Sequence, residues 1–481
     1  MLFNSYAFLF GFLPLALAAF FLLGRLRAGR VAMPVLVVAS LAFYAYWDWH
    51  NLFIIAPSLL VNFAVGRSVQ GNKRLLVLGL VFNLSLLGWF KYLDFLIGTA
   101  NLLPGVSFPL QHYVLPLGIS FFTFEQIAYI VDAYRGQSRR YGFVEYCVFV
   151  TFYPHLIAGP IIQHNELMDQ LHPESVRPRA DNLALGTAIL VIGLFKKVVI
   201  ADWCMAVVPG VYDHGPPDLT LVEAWIGTIG YSLQLYFDFS GYSDMAIGLA
   251  RMVNIKLPQN FNSPYRAHNP IEFWRRWHMT LSRFLRNYLY IPLGGNRGTE
   301  VRRYVNLMLT MLLGGLWHGA GWGFVIWGGL NGVYLVVNNL FRKWRKAPDD
   351  NAPEGPWWLV ELCAMITFFF IMLSRVFFRS PTFPTAAGVM KSLFGAYGIG
   401  AQHLRDNAVL LLAFAALYLF CRHAPNTQQV LAGLDPVYGR VPQPARFQFK
   451  LNQWVAVGVA GMALAAIVKL THVSEFLYFQ F

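Results

Sequence analysis

RRYVNLMLTMLLGGLWHG, residues 302–319, is the stretch on which the fold turns. Two arginines open it, a run from Tyr304 to Trp317 follows without a charge, and a histidine, His318, closes it. As a helix the run climbs about 1.5 Å per residue, so His318 stands about 20 Å from the basic end, near the middle of a hydrocarbon core about 30 Å thick. An ionisable group at that depth costs several kcal/mol unless it is kept neutral or partnered, and is read as functional by default. The structural alternative is a histidine hydrogen-bonded between packed helices, with Gly315 and Gly319 as a small-xxx-small packing pair.

Composition fixes the class. The 481 residues are 57% hydrophobic, 16% aromatic and only 13% charged, with a mean hydropathy of +0.48. A chain of this length cannot hide that much apolar surface in water as one soluble domain, so it is an all-α polytopic membrane protein. A net charge of +13 raises nucleic acid as a partner, but the basic residues fall in short clusters between apolar runs, as in cytoplasmic loops, and no nucleic-acid reading is needed. Cys147, Cys204, Cys363 and Cys421 are far apart and beside apolar segments, which indicates neither a disulfide framework nor a zinc site and leaves the redox compartment open.

The first apolar run, 6–23, has no basic residue before it and Arg25, Arg27 and Arg30 after it, so a cleaved signal peptide is not expected and the N-terminus faces outward. Further spans at 33–47, 51–66, 75–97 and 113–131 put Arg67, Lys73, Arg74, Arg135, Arg139 and Arg140 on the side of those first arginines, the cytoplasm. Spans at 183–208, 221–250, 322–341, 357–374, 408–421 and 451–470 place Arg342 to Lys346 and the 422–450 loop inside and the C-terminus outside. Residues 143–165 and 304–320 are too broken by Pro, Gly, His and Trp to read as simple crossings. The arithmetic gives about 10–12 transmembrane helices in one integral-membrane domain, 1–481, with re-entrant and interfacial pieces. No internal repeat, low-complexity stretch or soluble domain stands out.

One hydrophilic segment, 261–297, is both basic and aromatic. Between Pro270 and Pro292 it can form a single amphipathic helix of about six turns on the cytoplasmic side, with Trp274, Trp277, Leu281, Phe284 and Leu285 supplying the apolar face. An interfacial anchor is the plain reading. The functional one is that Arg275, Arg276 and Arg283, with Trp274, hold an anionic cytoplasmic donor such as coenzyme A, since guanidinium pairs with phosphate at short range. His278 lies beside this surface and could reach the same cavity as His318. Asp238 and Asp244 are also embedded in apolar sequence, six residues apart and so about 120° off each other's face on a continuous helix, with Gly241 a possible break between them. A shared-proton dyad is not expected; proton relay, a polar tunnel wall with Trp317, and structural hydrogen bonding all stay open.

LPLGISFFTFEQIAYIVDAYRG at 115–136, YPHLIAGPII at 153–162, FDFSGYSDMAIG at 237–248, WRRWHMTLSRFLRNYLYIPLGGNR at 274–297 and GLWHGAGWGFVIWGGLNG at 315–332 follow in order along most of the chain. Together they resemble the membrane-bound O-acyltransferase superfamily, in the bacterial branch of alginate O-acetyltransferases and related polysaccharide acylation proteins. The resemblance implies helices around a central tunnel and acyl transfer across the bilayer, with His318 catalytic and His278 at the family's second polar position. It implies acetyl-CoA as donor substrate, no bound cofactor and no metal, a polysaccharide acceptor, and a periplasmic serine-esterase partner transferase of the SGNH/GDSL type in the inner membrane's outer compartment.

FLYFQF closes the chain at 476–481, in a tail from 471 that is expected to be periplasmic. It is similar to the aromatic tails of these acyltransferases and of the small partner protein in teichoic acid D-alanylation, which makes Tyr478 an acyl carrier by resemblance; an aromatic-belt anchor is the alternative. Two other classes stay in view: a proton-coupled transporter or flippase, disfavoured for want of an inverted repeat, and an acyltransferase of the same superfamily using a longer-chain donor on lipid or protein. Which glycan is acetylated is not written in the sequence.

Overall fold

The computed structural model describes residues 1–23, 26, 31–172, 176–213, 219–346, 355–470, 476 and 477. Of the tail from 471 only Phe476 and Leu477 belong to this set; Tyr478 lies outside it. Among the described residues the chain is helical throughout, without a strand, save one isolated bridge between Pro258 and Tyr438. Five helices are long and apolar enough to cross a membrane: Trp49–Ser68, Lys73–Ala100, Ala180–Met205, Trp322–Trp344 and Trp357–Arg379. Four shorter ones, Ala7–Leu23, Ala32–Ala45, Ala408–His423 and Gln453–Lys469, are also apolar. Their bounds follow the expected spans to within a few residues.

The chain divides into two compact units, the first made of residues 1–195, 241–259 and 427–480, the second of 196–240 and 260–426 with Phe481. In the first, the helix Ile119–Tyr134 is buried on nearly every side. It starts six residues later than the expected span because Gly118 turns the backbone at φ 70°, where a Cβ would meet the Leu156 carbonyl at 2.7 Å. Asn62 and Asn83 close a side-chain pair between two membrane helices, donating to each other's amide oxygens at 3.2 and 2.5 Å. Water is scarce at that depth, so such polar groups must satisfy one another.

The second unit holds the stretch from which the reading began. Residues 300–318 form one 19-residue helix, α1 (Glu300–His318), rather than a broken segment. Its two internal glycines do not break it because both are spent on packing, Gly314 against Leu285 and Gly315 against the next helix, α2 (Trp322–Trp344). A Cβ on Gly315 would meet the Phe324 carbonyl at 2.3 Å and the Gly328 Cα at 3.1 Å. Backbones this close are what small-residue packing in membranes provides, so that part of the structural alternative holds while leaving His318 at the C-terminal end of α1.

Two expectations fail locally. Gly241 does not break its helix: Leu221–Met252 is continuous over 32 residues, about 48 Å of rise. Gly241 lies against Gly193, whose Cβ would meet the Gly241 carbonyl at 2.6 Å. The amphipathic segment is not one helix either. It runs as α3 (Pro270–Arg276), a corner at Trp277 and His278, α4 (Met279–Leu285) and a π-turn at Arg286–Tyr290. The corner exists because Trp277 is extended and His278 is left-handed, φ 43° and ψ 55°, a conformation that costs a non-glycine residue and survives only where its surroundings hold it.

Candidate active site

Asn260 holds that corner. The Met279 N–H donates to the Asn260 backbone carbonyl at 2.9 Å. The Asn260 side-chain oxygen accepts from Thr280 Oγ1 at 2.9 Å and from the Thr280 N–H at 3.4 Å. A backbone N–H can only donate, so this atom is an acceptor, and His278 Nδ1, 3.1 Å away, is the protonated nitrogen. The lone pair of the neutral imidazole is therefore on Nε2. His278 is fully buried and lies outside the spanning helices; desolvation lowers its pKa to about 3, which keeps the ring neutral.

His278 and His318 face each other with ring centroids 6.4 Å apart. His318 is 5% exposed and is boxed by Trp317, Trp327 and Phe378, at 4.9, 5.0 and 5.4 Å between centroids. Phe239 stands edge-on to His278 at 4.8 Å. The two histidines thus come from the α3–α4 corner and the end of α1, and aromatic rings fix both. Trp317, read from the sequence as tunnel wall, packs beside both, 4.9 Å from the His318 ring and 6.2 Å from the His278 ring.

A cavity of about 200 Å³ ends on His318. Leu281, Leu285, Met311 and Trp327 give it apolar walls, and Arg286, exposed, and Tyr290 belong to its lining with Trp274. Of the three arginines singled out for a donor, Arg276 is engaged within the protein: it pairs with Glu272 at 2.8 Å and donates to the Asn262 carbonyl at 3.1 Å. Arg275 is exposed and Arg283 half-buried.

Asp238 and Asp244 do not meet. Asp238 pairs with Lys197 at 2.6 Å, both nearly inaccessible. In the first unit, Asp244 accepts from Thr427 Oγ1 at 2.7 Å and Gln428 Nε2 at 2.6 Å. Sequence reasoning passed over Lys197, Asn260, Arg286 and Arg375. Arg375 is 3% exposed, donates to Tyr265 OH at 2.7 Å and stacks 4.6 Å over the Trp277 ring next to His278. The signal for Arg375 and Lys197 was present, a cation inside an apolar run, Arg375 by itself and Lys197 beside Lys196, the same kind that drew attention to His318.

A buried imidazole beside a small apolar cavity is the equipment of a general base working away from water. The membrane-bound O-acyltransferase family model matches residues 74–378. The chain is 44% identical to a peptidoglycan O-acetyltransferase of Helicobacter pylori over 85% of its own length and 82% of that protein's. It is 40% identical to a probable alginate O-acetylase AlgI of Azotobacter vinelandii over the full length of both, and 27% identical to a teichoic acid D-alanyltransferase of Bacillus subtilis over 75% of its own length and 92% of that protein's. The chain belongs to the membrane-bound O-acyltransferase family. It is a multi-pass membrane acyltransferase, and the transporter reading falls away.

Proposed function

We propose that this protein is an inner-membrane O-acetyltransferase that takes acetyl from cytoplasmic acetyl-CoA and passes it outward for O-acetylation of an extracytoplasmic polysaccharide, an alginate-like polymer, cellulose or peptidoglycan. The observation that carries it is the pairing of His278 with His318, the histidine that lines the cavity. The two similar proteins named as O-acetylating enzymes support acetyl over a longer acyl chain.

His318 acts as the base. The hydroxyl of an acceptor adds to the thioester carbonyl carbon and gives its proton to the imidazole; the carbon–sulfur bond then breaks and the thiolate recovers that proton as coenzyme A leaves. His278, held by Asn260 with its lone pair on Nε2, accepts the single hydrogen bond of the hydroxyl as the acceptor enters, and the hydroxyl turns that one proton to His318 as it attacks. Arg275, Arg283 and Arg286 attract the donor's phosphates, and of these Arg286 lines the cavity together with Trp274 and His318.

The acceptor hydroxyl is that of Tyr478 in this reading, with a periplasmic serine-esterase-type transferase collecting acetyl from it. Both termini then face the periplasm. The neighbouring Phe476 and Leu477 are buried in the first unit, Phe476 edge-on to Tyr242 at 4.4 Å, which supports a docked tail. Labelled acetyl-CoA followed by mass spectrometry of the C-terminal peptide tests it: an adduct of about 42 Da builds up on Tyr478 when the partner is missing. Wild-type polymer acetylation by Tyr478→Phe, which keeps the ring and loses only the hydroxyl, removes the carrier role and leaves direct transfer at His318.

A further inference from the structure

The polar side chains of the cavity lining are few, and their hydrogen bonds can be counted. Ser282 Oγ donates to the Trp274 carbonyl at 3.1 Å, fixing α4 to α3. Thr310 Oγ1 donates to the Asn306 carbonyl at 2.7 Å, and Tyr290 OH to Asn296 Oδ1 at 2.6 Å. Arg286 is exposed. The Trp274 indole lines the same cavity, and its Nε1–H is a buried donor with no partner among the described residues. Trp274 stands edge-on to Trp327 at 5.7 Å, the ring that boxes His318 at 5.0 Å.

A buried donor left without an acceptor forfeits its hydration with nothing in return, so native proteins rarely keep one without use. The atom that such a donor awaits is an acceptor brought by the ligand. In a cavity that ends on a general base, the acceptor whose charge grows during the reaction is the carbonyl oxygen of the thioester.

We propose that the Trp274 Nε1–H donates to the thioester carbonyl oxygen and holds the negative charge on it in the tetrahedral intermediate, so that Trp274 is a catalytic residue and not only a wall. The assignment rests on the proposed reading that acetyl-CoA is the donor in this cavity. As the hydroxyl oxygen bonds to the carbonyl carbon, the carbonyl π pair moves onto oxygen and is met by the indole N–H, while the hydroxyl proton goes to His318. Collapse returns the pair to the carbonyl, breaks carbon–sulfur, and the thiolate takes the proton from the imidazolium, giving an ester and the free thiol of coenzyme A. The three hydroxyls of the lining all donate within the protein and Arg286 is exposed, which leaves the buried Trp274 N–H as the donor placed to do this.

The test uses full-length protein in nanodiscs and Trp274→Phe, which keeps an aromatic ring and deletes the donor. The turnover rate is expected to fall about 10²- to 10³-fold, the usual loss for one oxyanion donor, with acetyl-CoA affinity within about threefold of wild type. The infrared carbonyl band of a bound ¹³C-labelled ketone analogue of acetyl-CoA is expected at lower frequency in wild type than in the variant. Should Trp274→Phe not fold, benzothienylalanine at position 274 replaces N–H by sulfur in the same shape and serves both measurements. Turnover within threefold of wild type, or a carbonyl band unmoved by loss of the N–H, overturns the assignment alone. Failure of the wild type to bind acetyl-CoA overturns the reading beneath it and the assignment together.

Discussion

In the first unit His155 lies with Nδ1 3.1 Å from Glu125, both inaccessible, and His164 with Nδ1 3.7 Å from Asp132. In the second unit His278 meets an amide oxygen and His318 meets the faces and edges of Trp317, Trp327 and Phe378. Four buried histidines in one chain thus have two kinds of surroundings. A carboxylate beside an imidazole gives a proton a fixed place to sit and holds the ring in one pose, which is how polar groups are made tolerable in a membrane. A base that must take a proton and return it within one turnover needs surroundings that do not trap it, and aromatic edges and a neutral amide meet that need.

The comparison breaks most sharply at His318. His318→Ala is expected to lower acetyl transfer by at least about 10²- to 10⁴-fold, while expression, membrane insertion and melting temperature stay near wild type, because the rings around it keep packing on each other. Transfer above a tenth of the wild-type rate would put the base elsewhere. His155→Leu is expected to do the reverse: it strands the Glu125 carboxylate and costs at least about 1–3 kcal/mol, read as a lower yield of monodisperse protein and a lower melting temperature. Glu125→Leu combined with His155→Leu should recover much of that loss. If the single variant is stable and inactive, His155 belongs to the chemistry and the contrast between the units is false.

Asn260 carries a smaller effect of the same kind. Asn260→Ala removes the acceptor that keeps the His278 proton on Nδ1 and one hold on the left-handed corner. Turnover should drop by about 10- to 100-fold, as for other groups that orient an imidazole, with little change in the acetyl-CoA concentration needed for half-maximal rate. A change confined to that concentration would instead make the corner part of donor binding.

Much of this was legible in the sequence. Apolar run lengths gave the helix positions within a few residues, since a bilayer leaves a spanning segment little choice of length or conformation. His318 could be found because one titratable group in an uncharged run is conspicuous. The corner at Trp277 and His278 could not, because the periodicity of 270–292 is that of a helix and the break is imposed from outside, by Asn260, on which His278 and Thr280 both anchor. Gly241 misled for the opposite reason: its lack of a side chain serves contact with Gly193 and not a bend. The Asp238 partner was hidden because Lys197 lies 41 positions away, in a different apolar run, and nothing in the spacing pairs the two.

The smallest expected effect is thermodynamic and concerns His278. Burial lowers its pKa from 6.5 to about 3, so between those values the unfolded chain binds a proton that the folded chain does not. Stability must therefore fall as pH drops below 6.5 and continue to fall until the folded-state value is reached; above 6.5 both states are neutral and the group contributes no pH dependence. Within that window one such group is worth up to about 1.4 kcal/mol per pH unit, a shift of a few degrees in melting temperature. His278→Gln cannot be protonated and keeps a side-chain amide near Asn260, so its melting temperature should decline less than that of wild type between pH 6.5 and 5.5, and in parallel with it between pH 7 and 8. Parallel decline in both ranges would mean that His278 takes up its proton in the folded state, and that its place beside Phe239 and His318 is not the desolvated one from which a neutral hydrogen-bond acceptor was argued.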